Sequence, residues 1–232
     1  MGNSGTGVSK IVARVGSVGL DESKNAFLQD SFKQFGIQLG QITGNFSEVL
    51  SRQKFEACIV RLYAPDAEQI LSAIRNSTSN RRMVIYGVAR NTQEALRFSS
   101  YGINAIFDEP FERQNVLRVV RSTHLLVIHE LRRYVRIPVV MEAMIDAGQR
   151  QPLRVITQEV SGGGMSVRCT SPFPSQETVR VSFALPGTKL IRVRAAVCWS
   201  RPEENLYGFR FDSTDDGRLD VRRWIDQYLE LM

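Results

Sequence analysis

The hydrophobic pattern of this 232-residue chain changes period once, near Pro138, and that change most constrains what the chain can fold into. From Ser9 to about Gln114, short apolar runs alternate with polar stretches of helical character, the signature of βα units around a parallel sheet. The runs Ile11 to Val18, Gln38 to Thr43, Phe55 to Tyr63, Arg82 to Ala89 and Asn104 to Phe111 predict five strands. Glu22 to Phe35, Asn45 to Lys54, Asp66 to Arg75 and Thr92 to Tyr101 read as helices between them, with Asn45, Asp66 and Thr92 as capping residues. A longer helix begins near Glu112 and meets no breaker before Pro138.

Leu117, Val120, His124, Val127 and Leu131 recur along that helix at alternating steps of three and four. Such a seam either pairs two copies as a homodimer or packs on the chain's own domain, with His124 as a packed histidine. After Pro138 the period is two. Val179, Val181, Phe183 and Leu185 alternate with Arg180, Ser182 and Ala184, and Met165, Val167 and Cys169 with Ser166 and Arg168. Turn chemistry at Ala147 to Pro152, Gly162 to Gly164, Ser171 to Ser175, Pro186 to Thr188 and Pro202 to Asn205 cuts this stretch into six or so strands, which read as a small barrel. Asp216 to Leu231 reads as a closing amphipathic helix through Leu219, Trp224, Ile225, Tyr228 and Leu229. The expected fold class is therefore α/β followed by all-β. A five-stranded parallel sheet sandwiched by helices occupies residues 1–124, and a six-stranded antiparallel barrel with a C-terminal helix occupies residues 125–232.

Composition narrows the function. No apolar run approaches the ~20 residues of a membrane-spanning helix, so membrane insertion is not expected. Cys58, Cys169 and Cys198 are scattered and form no CxxC pair, which fits a reducing cytoplasm and argues against a disulfide framework. His124 and His129 are the only histidines, and both lie on one helix. Neither a metal ligand set nor a base for a Ser, Cys or Thr nucleophile can be assembled from them, and the chain reads as no enzyme, with no cofactor. Gly2 to Lys10 is glycine-rich but lacks the spacing of a phosphate loop, and the opening MGNSGT matches a myristoylation pattern without a polybasic follow-up. Net charge is +6 and evenly split, 15 basic against 11 acidic residues before position 125 and 15 against 13 after it. This suits a small anion as well as nucleic acid. Nucleic acid is the less expected partner, because Tyr134 alone interleaves the arginine cluster.

That cluster is RRYVR, Arg132 to Arg136, followed about 25 residues later by EVSGGG, Glu159 to Gly164. Arg132 and Arg136 are spaced to offer two guanidinium forks to one anion, and such forks match phosphate oxygens or the O6/N7 edge of guanine. The glycines of the second stretch are expected to supply positive φ in a turn. Together, with the later VCW (Val197 to Trp199) and YGFRF (Tyr207 to Phe211), the two stretches resemble the RxxxR and D/NxSxxG signature of the PilZ domain family over residues 131–232. The resemblance implies a receptor for the second messenger cyclic di-GMP. It assigns phosphate and guanine contacts to Arg132 and Arg136, an auxiliary contact to Arg133, and the other guanine to Glu159, Ser161 and Gly164. Glu159 departs from the family's Asp or Asn. Leu131, where a further arginine would suit a stacked ligand pair, implies one bound molecule.

The first half resembles a response-regulator receiver, with Pro110 and Phe111 at its last strand. Its phosphoryl chemistry is missing. Gly16, Ser17 and Val18 stand where the metal-binding acids belong, Arg61, Leu62 and Tyr63 where the phosphoacceptor belongs, and Glu109 where a lysine belongs, with Asp21, Glu22 and Asp66 displaced along the chain. The resemblances together imply a signalling adaptor: a non-phosphorylatable receiver-like domain joined by a connector helix to a cyclic di-GMP domain, with a downstream protein partner. The alternatives are a PilZ-like interaction module that no longer binds nucleotide and a phosphorylation-dependent response regulator.

Overall fold

The computed structural model describes residues 11–148, 151–169, 173 and 178–230. The readings on Gly2 to Lys10, and parts of the turns at Ala147 to Pro152 and Ser171 to Ser175, lie outside them. Two compact units divide between Leu131 and Arg132.

The first unit alternates β1 (Arg14–Val18), α1 (Glu22–Lys33), β2 (Gln38–Gln41), α2 (Phe46–Arg52), β3 (Ala57–Arg61), α3 (Ala67–Asn76), β4 (Val84–Ala89), α4 (Thr92–Arg97), β5 (Ala105–Asp108) and α5 (Arg113–Tyr134). All five strands are parallel in the order β2-β1-β3-β4-β5, the doubly wound arrangement of a receiver-like fold. The central strands β3 and β4 are buried nearly throughout, which is why they read as continuous apolar runs. Capping chemistry sets the helix starts. Asn45 accepts from Glu48 N at 3.3 Å as expected. At α4 the cap is Asn91 rather than Thr92: Asn91 accepts from Glu94 N at 3.0 Å, and Arg90 N donates back to Glu94. Asp66 stands at the start of α3 but makes no capping hydrogen bond.

The seam on α5 packs inward. Val120 and Val127 are buried in one core with Phe32, Tyr86 and Phe107, with Val116 rather than the expected Leu117 beside them, Leu131 packs against it, and His124 lies on the Phe35 ring with centroids 5.8 Å apart. Thr123 sits on the same face and bonds the Tyr86 hydroxyl at 2.7 Å, where burial pushes the phenol pKa up to about 12. Thr123→Val leaves that hydroxyl buried with no side-chain partner. It is expected to destabilise the first unit by about 1–2 kcal/mol, read from circular-dichroism denaturation. A loss below ~0.5 kcal/mol would show that the bond is replaced.

The second unit comprises β6 (Ile137–Pro138), β7 (Glu142–Asp146), β8 (Leu153–Ser161), β9 (Gly164–Cys169), β10 (Thr178–Phe183), β11 (Ile191–Arg201), β12 (Leu206–Phe211) and α6 (Gly217–Glu230). Strands β8-β7-β10-β11-β12-β9 form an antiparallel sheet, and the β8–β9 pairing closes it into a six-stranded barrel. The predicted alternation holds, with Val179, Val181, Phe183, Leu185, Met165, Val167 and Cys169 all buried inside. On α6 the buried face is Val221, Trp224 and Ile225, and Leu219 is half exposed, one correction to the expected helix face. Trp224 Nε1 donates to Pro186 O at 3.0 Å, which ties the helix to the barrel.

Candidate functional site

RRYVR and EVSGGG are brought together by the two-residue strand β6. Arg136 immediately precedes β6, and β6 pairs antiparallel with the end of β8, Ile137 opposite Val160 and Pro138 opposite Glu159. Beyond Glu159 the chain turns through Gly162 and Gly163 into β9, with Ser161 opposite Gly164. Ser161 closes this turn: its hydroxyl donates to Gly164 O at 3.0 Å and accepts from Gly163 N at 3.4 Å. None of the three glycines has positive φ, contrary to expectation. Gly164 is required for another reason, since a Cβ there would stand 2.1 Å from Phe209 O on the neighbouring strand.

Two β-bulges shape the surroundings. The β8–β9 register shifts between Thr157 and Glu159, and the β11–β12 register between Val197 and Trp199. Bulges bend a strand and re-aim its side chains. After the second one the Trp199 indole lies against Gly208, where a Cβ would meet its Nε1 at 2.1 Å. The result is an open cleft of about 210 Å³ whose walls include Arg136, Glu159, Ser161, Gly164, Trp199 and Arg210. That is below the ~300–1,000 Å³ of pockets that enclose a small ligand, so it has room for one base or phosphate edge of a larger molecule. Arg136 and Arg210 are exposed, and neither guanidinium has a hydrogen-bonding or ion-pair partner among the described residues.

Four of the six sequence candidates therefore converge: Arg136, Glu159, Ser161 and Gly164. Arg132 and Arg133 are not among the residues lining the cleft. They sit on the last turn of α5, which ends at Tyr134, so the four-residue spacing to Arg136 does not run along one helix face. Arg132 Nε lies 3.1 Å from Asp226 Oδ1 and its Nη2 3.6 Å from Glu230 Oε1, both on α6. The Arg133 guanidinium lies 5.6 Å from the Tyr134 ring centre. The sequence reading missed Arg210 and gave Trp199 no role. Arg218 was also missed: its Nε donates to Gly162 O at 3.0 Å, and burial, with the neighbouring Arg222 charge, lowers its pKa.

Residues 130–230 match the PilZ domain family. The matched stretch takes in the second unit from Arg132 to Glu230. Among solved structures, the chain is similar to the PilZ domain of CeSA from a cellulose-synthesizing bacterium, at 17% identity and TM-score 0.34 over 40% of this chain and 97% of that one. It is also similar to the Bacillus subtilis inhibitor of motility MotI/DgrA, at 20% identity and TM-score 0.35 over 42% of this chain and 51% of that one. The receiver-like half is similar to the chemotaxis response regulator CheY4 of Vibrio cholerae, at 15% identity and TM-score 0.42 over 48% of this chain and 98% of that one. No curated protein matches the chain. A PilZ match over the second unit thus stands beside a receiver-like fold in the first. Among the described residues no helix is long and apolar enough to cross a membrane.

In the receiver-like unit, the carboxyl ends of the strands, where ligands of doubly wound sheets bind, hold a closed polar cluster. Tyr63 donates its hydroxyl to Glu109 Oε2 at 2.7 Å, and Lys24 Nζ lies 2.7 Å from Glu109 Oε1. The bond to Glu109 holds the Lys24 ammonium protonated well above the usual lysine range. The Arg90 guanidinium covers the Tyr63 ring at 4.2 Å. Asp21 is engaged as the cap of α1, accepting from Lys24 N at 2.9 Å.

Proposed function

We propose that this chain is a cyclic di-GMP-responsive adaptor of the cytoplasm whose nucleotide site is the cleft between β6, the β8–β9 turn and β12. The observation that carries the reading is the convergence of Arg136, Glu159, Ser161 and Gly164 through the β6–β8 pairing. A guanidinium without a protein partner suits a phosphodiester or the guanine O6/N7 edge. The Glu159 carboxylate is acceptor-only and so suits the N1/N2 donor edge of guanine. Adenine lacks that paired donor edge, so the site is expected to prefer cyclic di-GMP to cyclic di-AMP. Ser161 acts by holding the turn, and Trp199 offers an aromatic face to a base. Arg132 joins the ligand by exchanging Asp226 and Glu230 for a phosphate, and because it belongs to α5 that exchange is felt along the connector helix.

Isothermal titration calorimetry of the full chain tests the reading. One cyclic di-GMP per chain is expected, and the absence of binding near 100 μM ligand, about two decades above the ~1 μM scale of a −8 kcal/mol interaction, would refute it in favour of a pure interaction module.

The receiver-like unit serves as a recognition platform for a downstream protein and is not phosphorylated. Its cluster supplies Lys24 and Arg90 around Tyr63 and Glu109 where phosphoryl transfer needs metal-bound carboxylates. Incubation with a small phosphodonor and magnesium is expected to leave the intact mass unchanged. A phosphoryl adduct that is lost in Asp66→Asn would restore the response-regulator alternative.

A further inference from the structure

We infer that Arg210 forms a second anion subsite, across the Ser161–Gly164 turn from Arg136, that takes the second phosphodiester of the cyclic dinucleotide. The inference rests on the nucleotide reading above and adds a residue outside both motifs. Arg210 pairs with Gly164 in the β9–β12 ladder, and residues directly opposite in an antiparallel pair share a face. The facing residue is a glycine, so no β9 side chain stands between Arg210 and the turn. Beyond Gly163 the cleft adjoins a second basin of about 530 Å³, and Gly163 and Arg210 belong to the walls of both. Arg210 therefore stands on the divide.

The other arginines lining the second basin are committed. Arg194 pairs with Asp212 at 3.2 Å and with Asp215 at 3.3 Å, and Arg218 holds Gly162 O. Arg210 has no such engagement among the described residues. A cyclic dinucleotide carries two phosphodiester charges, and the first cleft offers two uncommitted guanidiniums, Arg136 and Arg210, against the single carboxylate of Glu159. One guanidinium from each side of the turn gives each phosphate its own fork, a geometry that lysine does not reproduce.

Calorimetry on four proteins separates this from the parent reading: wild type, Arg210→Ala, Arg210→Lys and Arg192→Ala. Arg192 is an exposed β11 arginine with no side-chain partner among the described residues, and its loss removes the same charge from a position not lining the cleft. Cyclic di-GMP affinity is expected to fall at least about tenfold in Arg210→Ala, to fall less in Arg210→Lys, and to stay within about twofold in Arg192→Ala. Denaturation followed by tryptophan fluorescence checks that each variant is folded. Arg210→Lys keeps the charge and the aliphatic stem, so it remains informative if the alanine variant is unstable. If wild type binds and folded Arg210 variants match Arg192→Ala, the subsite is overturned and the nucleotide reading stands. If wild type does not bind, both fall.

Discussion

Arg136→Ala is expected to weaken cyclic di-GMP binding by about 2–3 kcal/mol, roughly 30- to 150-fold, which is the cost of losing a charge-assisted contact. Arg136 should dominate its motif because its guanidinium faces the cleft with nothing to release first. Arg132 begins from a different state. It is held by Asp226 and Glu230, so any phosphate contact it makes replaces an existing pair. These pairs are partly exposed and worth no more than about 1 kcal/mol. Arg132→Ala is therefore expected to cost less than Arg136→Ala, and Arg133→Ala less again. Calorimetric titration of the three variants gives the ranking, and equal losses at Arg132 and Arg136 would show that the ligand recruits both arginines fully.

The fold was legible wherever period and burial coincide. The buried runs of β3 and β4 and the in-out alternation of β9 and β10 follow from side-chain chemistry within a few residues. So did the absence of receiver acids, since Leu62, Tyr63 and Glu109 are visible without a structure. What replaces those acids was not legible, because Lys24, Tyr63 and Glu109 meet only when three βα units are assembled. The same limit hid part of the candidate site. The spacing of Arg132 and Arg136 suggested a matched pair, but α5 ends between them and α6, about 90 residues on, captures one. Arg210 could have been flagged only as the outward residue of YGFRF, and its relation to the turn exists only through the β9–β12 register.

At Gly164 the sequence suggests one physical reason for the glycine and the packing gives another, and its substitution separates the two. If the glycines of the turn were present for positive φ, alanine would be strained at each of them. If close packing decides, Gly164→Ala and Gly163→Ala must behave in opposite ways. At Gly164 a Cβ would lie 2.1 Å from Phe209 O, 3.1 Å from Phe209 C and 3.2 Å from Arg210 Cα, all backbone atoms of β12, so relief requires two paired strands to separate. At Gly163 nothing lies within 4 Å, and its φ is outside the left-handed region. Gly164→Ala is expected to destabilise the second unit by about 3 kcal/mol, the upper part of the usual range for overpacking. Gly163→Ala should be neutral or stabilising by about 0.4–1 kcal/mol, since alanine restricts the unfolded chain and meets nothing in the folded one. Both tryptophans, Trp199 and Trp224, lie in this domain, so their fluorescence during urea denaturation reports its transition without the receiver-like unit. Equal losses at the two positions would return the turn to a φ-based account. A loss confined to Gly164, accompanied by weaker cyclic di-GMP binding in the folded fraction, would establish that the close approach of β9 to β12 also sets the distance between the turn and Arg210.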